Sequence, residues 1–460
     1  MEMLPISPFA YSFFYFGFGI FMSDYVSLFF NCTFKNSYTA SLQFSKIMGD
    51  ALHYFLVGMM ALCINGYHVN GVLFWGSMSF IFLGYIYLLW VVNTKYELFG
   101  RRDLVNDFTH THSMNAWTFV FVYFFVMFLV MLISYYSLRQ LKRQRSRSSI
   151  FHQSDTFSDI PSEAEISGNN VRITNMTKLG IWWQTVNGFA NLKERNKILV
   201  AILSPFYFIV ANMIPVIDME RPLHGWCKPV AIISLVVLPF LTLGLKPKTH
   251  TWYTLSAISW FFAFVASIST ESLREPSYIW LRIYSIIGLL VYSITMHTVI
   301  GEIDNLIWQF MSMRFSPMPD MIAIMFISTG EICCMSVLLG SLIRRRMLDA
   351  AYGAVMSALS HTIYMALPQL VLQECYNSNI YIICTSKTFS CTVFFVIIFF
   401  GTLLHVSMSG NEFRMSLFFY LVTLYTAYLL FQLMTYYHLI HPFGIAHTIR
   451  PPSDSENVWA

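Results

Sequence analysis

The chain has 460 residues, of which 56% are hydrophobic and only 11% are charged, and its mean hydropathy is +0.56. Such a composition excludes an ordinary water-soluble domain and predicts a membrane protein. The net charge of +4 results from 28 basic and 24 acidic residues. Because basic residues are not in large excess, we do not expect nucleic acid as a partner. The hydrophobic composition instead predicts that membrane lipid is a partner.

Apolar runs recur along the whole chain, and each is close to the ~20 residues that cross the hydrocarbon core as a helix. Lipid offers no partner for backbone N–H and C=O groups, so runs of this length must be helical. The fold class predicted is therefore an all-α, polytopic transmembrane bundle of about 11–12 spans in the plasma membrane or an organellar membrane, the mitochondrial inner membrane among the candidates. The candidate spans are residues 9–30, 51–66, 71–93, 116–136, 197–217, 226–245, 252–270, 279–300, 318–342, 350–372, 384–408 and 416–437.

A polar segment divides the chain into two membrane halves of unequal length. It opens with the basic stretch "RQLKRQRSRSS" and then becomes acidic and rich in serine, a composition that predicts disorder. Its basic end predicts the cytoplasmic or matrix side, and is either an orientation signal or a site for lipid head groups or regulation. The predicted regions are 1–137, 138–196 (the polar loop), 197–440 and a C-terminal tail, 441–460.

Asparagine and cysteine residues provide weak additional signals outside the spans. Asn31 and Asn175 each begin an N-x-[ST] sequon, the acceptor for N-glycosylation. Cys375 and Cys384 share a short polar loop, where they would form a disulfide if the loop is lumenal or remain two thiols.

Ionisable side chains within the spans are the main candidates for chemistry, because each is costly in lipid. The stretch "FISTGE" puts Glu331 inside an apolar run, with Ser328 one turn earlier on the same helical face. A carboxylate there costs roughly 2.5–3.5 kcal/mol without a partner. Gly330 would allow the helix to unwind locally and expose backbone carbonyl oxygens. Together with the Glu331 carboxylate and the Ser328 hydroxyl, these oxygens are ligands that a hard cation prefers. The alternatives are a protonated, hydrogen-bonded glutamate between helices or a helix shifted toward the interface.

Other polar residues favour structural roles over ligand binding. His361, in the span 350–372, is expected to form a hydrogen bond between helices. His110 and His112 have the spacing of a metal pair on a strand, but without a third ligand nearby we expect a solvated loop. Asp218 and Glu220 are expected to be solvated at the membrane interface.

Stretches in both halves of the chain carry a resemblance to a known family. In the first half, "YTASLQFSKIMGDALHYFLVG" and "GVLFWGSMSFIFLGYIYLLWVV" look like the spans that precede the central loop of that family. Residues 198–245 resemble the pair of spans that opens the second half of the cation/calcium exchangers, and most closely those of the mitochondrial-type sodium/calcium exchanger branch. "GEIDNLI" from Gly301 is similar to that family's acidic stretch before its second signature repeat, and "GNEFRMSLFFYLVTLYTAYLLF" from Gly410 is similar to its final span. "FISTGE" falls where the second α-repeat belongs, at about 279–372.

The resemblance implies a site and a function. Ser328 matches the family hydroxyl, Glu331 the acidic ligand, and Glu302 the acid on the preceding helix, so these residues would bind the transported calcium or sodium ion. It implies exchange of calcium against sodium by alternating access between inverted halves. No other cofactor and no enzymatic activity are expected.

The sequence also departs from the family pattern. Phe326 stands where the motif has glycine, and Met335 where a second acid often follows. The first run matches a late span of the first α-repeat through Gly17 and Gly19, so the helix bearing the first acidic motif would precede Met1. We therefore expect an incomplete first repeat. The alternative function is a transport-inactive partner or regulatory subunit that binds another exchanger subunit.

Overall fold

The computed structural model describes most of the predicted membrane helices. Asn31, Asn175, Asp218 and Glu220 lie outside the described residues, so their predicted roles remain predictions. The described residues are 7–20, 37–97, 105–149, 198, 201–202, 205, 226–243, 250–271, 276–314, 319–376, 382, 384–437, 439–441 and 443.

Helices account for nearly all of the described chain, and three short π-helical segments continue directly from α-helices. The elements in chain order are α1 (Pro8–Phe14), π1 (Tyr15–Ile20), α2 (Ser37–Ile64), β1 (Tyr67–His68), α3 (Gly71–Glu97), α4 (Val105–Ser149), α5 (Lys228–Leu243), α6 (His250–Ser269), α7 (Tyr278–Arg314), α8 (Pro319–Ile322), π2 (Ala323–Ile327), α9 (Ser328–Arg344), α10 (Leu348–His361), π3 (Thr362–Ala366), α11 (Leu367–Tyr376), α12 (Ser386–Met408), β2 (Glu412–Phe413) and α13 (Met415–Tyr436).

Six stretches of helix among the described residues are long and apolar enough to cross a membrane. The predicted helical membrane architecture is therefore confirmed in this coarser form, while the count of about twelve spans and the inverted repeat remain predictions. The six are Ala40–Ile64, Gly71–Val91, Met114–Tyr136, Leu348–Cys375, Ser386–Met408 and Met415–Tyr436. Shorter apolar helical stretches overlap four further predicted runs, at Lys228–Phe240, Ser256–Ser269, Ile279–Gly288 and Met335–Arg344.

Two helix boundaries differ from those that hydropathy predicts. Helix α2 begins at Ser37 and not near 51, because its first turns carry polar residues that are buried against other helices. Helix α4 includes His110 and His112, for which we predicted a loop, and continues through 138–149 of the predicted polar loop. Positions two apart on a helix lie on opposite sides, so the predicted spacing of a strand-type metal pair does not apply there.

The chain divides into two compact units, one of residues 1–143 and 299–460 and one of residues 144–298. This division brings parts of both predicted membrane halves into the first unit. Helix α2 lies at its centre and packs against π2, α9, α10, π3, α12 and α13. A central helix of this kind must place its polar side chains against protein, because lipid cannot reach them.

Glycines allow the helices of the first unit to approach closely. A Cβ added at Gly58 on α2 would lie 2.5 Å from Val355 Cγ1 on α10, and one at Gly353 on α10 would lie 2.5 Å from the carbonyl oxygen of Phe9 on α1. Distances this short require the absence of a side chain. The backbone of α2 therefore packs directly against the Val355 side chain of α10, and the backbone of α10 approaches that of α1.

The loops after α2 and α12 meet in a short antiparallel pair, β1 with β2, in which Tyr67 lies opposite Phe413. The Tyr67 hydroxyl donates to Asp349 Oδ1 at 2.6 Å. Burial and the Asp349 carboxylate both raise the pKa of Tyr67 above its ordinary value. The phenol consequently stays protonated at neutral pH and fastens this loop pair to the start of α10.

The second unit is built around α5 and α6, which pack against each other. Lys228 Nζ donates to the carbonyl oxygen of Thr270 at 2.6 Å, and the hydroxyls of Ser234 and Tyr284 lie 3.0 Å apart. The first bond joins the start of α5 to the residue after α6, and the second joins α5 to α7, so both satisfy polar groups among apolar helices.

Candidate cation-binding site

Buried polar residues follow one another along the first turns of α2. Ser45 is fully buried, Asp50 is 5% exposed and His53 is 2% exposed. Lys46, Asp50 and His53 are four and three residues apart, which places them on one helical face. His53 is held from two sides, because Nδ1 contacts the carbonyl oxygen of Gly49 at 2.7 Å and Nε2 lies 3.3 Å from the hydroxyl of Tyr425.

Ser328, the hydroxyl predicted as a cation ligand, lies against this part of α2. It is fully buried at the junction of π2 and α9. Its hydroxyl is 3.3 Å from the carbonyl oxygen of Ala323 and 3.5 Å from that of Lys46, so both hydrogen bonds are long. A hydroxyl this weakly engaged keeps acceptor capacity for another ligand.

The backbone of π2 touches α2 at Gly49. A Cβ at Gly49 would lie 2.5 Å from the carbonyl oxygen of Ile324 and 2.5 Å from Ser328 Oγ. A π-helical turn disrupts the regular backbone hydrogen-bond ladder, and such turns occur frequently at functional sites. The glycine thus sets the spacing between α2 and the interrupted helix.

The two acids predicted as cation ligands, Glu331 and Glu302, lie on different helices. Glu331 lies on α9 one turn after Ser328, and its side chain is outside the described residues. Glu302 lies on α7 and is exposed. The acid of α7 that reaches α2 is Asp304, two residues further on and therefore on the opposite side of that helix.

Lys46 and Asp304 form an ion pair of 2.7 Å between Nζ and Oδ2, with side chains only 13% and 15% exposed. On the same side of α7, Ile307, Trp308 and Met311 pack against the apolar residues of π2. The pair therefore joins α2 to the helix that supports π2.

We expect Asp304→Asn to lower the free energy of unfolding by on the order of 3 kcal/mol, because it leaves the Lys46 ammonium nearly buried without its carboxylate. The double variant Lys46→Met/Asp304→Leu removes both charges and should be clearly more stable than Asp304→Asn. Chemical denaturation of the detergent-solubilised chain measures both. Equal losses in the two variants would contradict a stabilising role for charge pairing.

A closed ring of side-chain oxygens lies where α2, α8 and α12 meet. Ser45 Oγ is 2.9 Å from Thr388 Oγ1, and Thr385 Oγ1 is 3.0 Å from Thr388 Oγ1. The carboxylate of Asp320 is hydrogen-bonded to Thr385 and Ser45, which completes the ring, and Lys387 interacts with it electrostatically. We call Asp320, Ser45, Thr385 and Thr388 the hydroxyl–carboxylate ring.

Two further predictions concern His361 and the cysteines. His361 is 1% exposed, and its ring meets that of Tyr123 edge-on with centroids 6.4 Å apart. His361 therefore meets an aromatic ring of another helix, α4, and the predicted hydrogen bond between helices stays a prediction. Cys375 and Cys384 are thiols, with Cys384 buried, so the second of the two alternatives describes this structure.

No group of three or more His, Cys, Asp and Glu side chains that could hold a metal ion occurs among the residues that the structure describes. A transported ion at Ser328 would therefore need the side chain of Glu331 and backbone oxygens. Comparison with known proteins adds no assignment, since no family model, curated protein or solved structure matches the chain.

Sequence inspection missed Lys46, Asp50, Asp304 and Asp320 as candidates. The stretch "SKIMGDALH" from Ser45 carried a usable signal, because its polar residues recur at helical spacing. Asp320 had no such signal. Its partners are contributed by two helices that are distant in sequence.

Proposed function

We propose that the protein exchanges cations across a membrane, calcium against sodium, by alternating access between two helical halves that form an inverted repeat. The observation that carries the proposal is the buried Ser328 hydroxyl at the end of π2, against a glycine of α2 and one turn before Glu331. A hydroxyl, a carboxylate and loosened helix backbone are the ligands that hard cations use inside membranes.

The chemistry of exchange follows from the energy of the Glu331 carboxylate. An ionised carboxylate far from water is costly without a cation, so the empty site resists reorientation through the low-dielectric interior. One calcium ion or competing sodium ions would relieve that cost in turn. Exchange then becomes obligatory, because a conformational change without a bound ion carries the unpaired charge.

The full chain in sodium-loaded proteoliposomes tests the proposal directly. On dilution into sodium-free medium containing radioactive calcium, we expect uptake that requires the outward sodium gradient and disappears when a sodium ionophore dissipates it. Protein-free vesicles are the control. A folded, monodisperse protein that shows no gradient-dependent uptake would instead support a transport-inactive partner subunit.

A further inference from the structure

We propose that the hydroxyl–carboxylate ring is a second cation site, specific for one small monovalent ion of the sodium class, with ligands other than Ser328 and Glu331. The binding of the ion does not depend on exchange. Its role as a coupling ion rests on the proposed function.

Proton counting in the ring carries the inference. The ring has four contacts: Asp320 with Ser45, Asp320 with Thr385, Ser45 with Thr388, and Thr385 with Thr388. The three hydroxyls hold one proton each and an ionised carboxylate holds none. Three protons cannot serve four contacts, so one pair of oxygens in the ring faces each other with no proton between them. A bound cation removes that repulsion by attracting both oxygens.

A second observation concerns the carboxylate itself. Asp320 is 8% exposed, and its Oδ1 is buried with no hydrogen-bond partner in the described part of the chain. A buried carboxylate oxygen without a partner is costly. Asp320 therefore brings one buried, unpartnered carboxylate oxygen to a cluster that also holds three neutral hydroxyl oxygens, and oxygen is the ligand that hard cations prefer.

The charge of the ring selects a monovalent ion. Asp320 is its only carboxylate, whereas calcium sites usually combine several carboxylates with six to eight oxygens. The Lys387 ammonium interacts with the same carboxylate, so a divalent ion would meet a further opposing charge. A monovalent ion, by contrast, competes with Lys387 on equal terms.

The ring lies near the starts of the helices that form it. Asp320 is the second residue of α8, and Thr385 is the N-cap of α12, where its side chain accepts from the backbone N–H of Thr388. Ser45 lies near the start of the candidate span of α2. Two of the three helices begin at the ring, and it lies close to one end of the helices of the first unit.

Thermal unfolding of the detergent-solubilised full chain at pH 8 tests the site, in sodium chloride against choline chloride at equal ionic strength. We expect the midpoint of the wild type to rise with sodium, because an ion that binds only the folded state stabilises it. Asp320→Asn should abolish this rise. Lys387→Met should lower the half-maximal sodium concentration by roughly tenfold, because it removes a competing charge.

Two threonines on α12 supply a matched pair of variants. Thr388→Val removes a ring hydroxyl and should weaken the sodium effect, whereas Thr402→Val removes a buried hydroxyl that donates only to the carbonyl oxygen of Ile398 and should leave it intact. A merely structural Asp320–Lys387 pair predicts that both single charge variants destabilise the chain without changing its sodium response.

Three results would overturn the proposal: equal midpoints in sodium and choline, a sodium effect that persists in Asp320→Asn, or a sodium effect that weakens in Lys387→Met. The first of these is expected if Asp320 is protonated and supplies the fourth proton. The calcium-flux experiment is separate. Calcium flux without a sodium-dependent unfolding midpoint would refute the sodium site at the ring and leave the proposed exchange intact. A sodium-dependent midpoint without calcium flux would support the site and refute the exchange.

Discussion

Glu331→Gln is expected to reduce gradient-driven calcium uptake by roughly 100-fold or more, because loss of one buried charge contact costs about 3–5 kcal/mol and each 1.4 kcal/mol corresponds to tenfold. Glutamine keeps the size of the side chain and removes only its charge. The initial rate of uptake into proteoliposomes, normalised to incorporated protein, measures the effect.

The control for Glu331 is a glutamate far along the chain in an exposed ion pair. Glu412 contacts Arg414 at 2.7 Å, with side chains 41% and 59% exposed, and such pairs contribute little. Glu412→Gln should therefore retain uptake, and Glu331→Asp should retain part of it because the charge remains. Wild-type rates in Glu331→Gln would remove this carboxylate from the proposed mechanism.

Gly49→Ala is expected to destabilise the first unit by about 1–3 kcal/mol, the usual range for overpacking. The added methyl group would lie 2.5 Å from the carbonyl oxygen of Ile324, which belongs to helix backbone and cannot rotate away. The same contact fixes Ser328, so we also expect slower calcium uptake. Thermal unfolding in detergent measures the stability change.

Gly76→Ala is the matched control for Gly49→Ala. Gly76 lies within α3, and a Cβ there would meet no atom within 4 Å in the described structure. Alanine should therefore stabilise this helix by up to about 1 kcal/mol, because it restricts the unfolded chain. Opposite signs for the two glycines support a close approach at Gly49. A loss of equal size at both would contradict a close approach that is specific to Gly49.

The charge pattern explains why the candidate site was only partly predictable. Glu331 was conspicuous because a lone carboxylate interrupts an apolar run. Lys46 and Asp50 were not, because they lower the hydropathy of the first turns of α2 so far that the span was predicted to begin later. Hydropathy is averaged over neighbouring residues in the sequence. It therefore does not include the ion pair of Lys46 with Asp304, which are far apart in sequence.

The hydroxyl–carboxylate ring illustrates the same limit more strongly. Serine and threonine are common in membrane helices, where each usually bonds to its own helix backbone. Ser45, Thr385 and Thr388 differ only in their neighbours, which come from three helices. Nothing in the local sequence distinguishes them.

The sequence by itself determined that this is a helical membrane protein, because long apolar runs in lipid must satisfy their backbone hydrogen bonds internally. It also indicated Ser328 and Glu331, since their polarity contrasts with their surroundings. Only the tertiary structure placed π2 against Gly49, paired Lys46 with Asp304 and closed the ring around Asp320. Those contacts depend on which helices pack around α2, and packing is decided by shape and charge complementarity between segments distant in sequence.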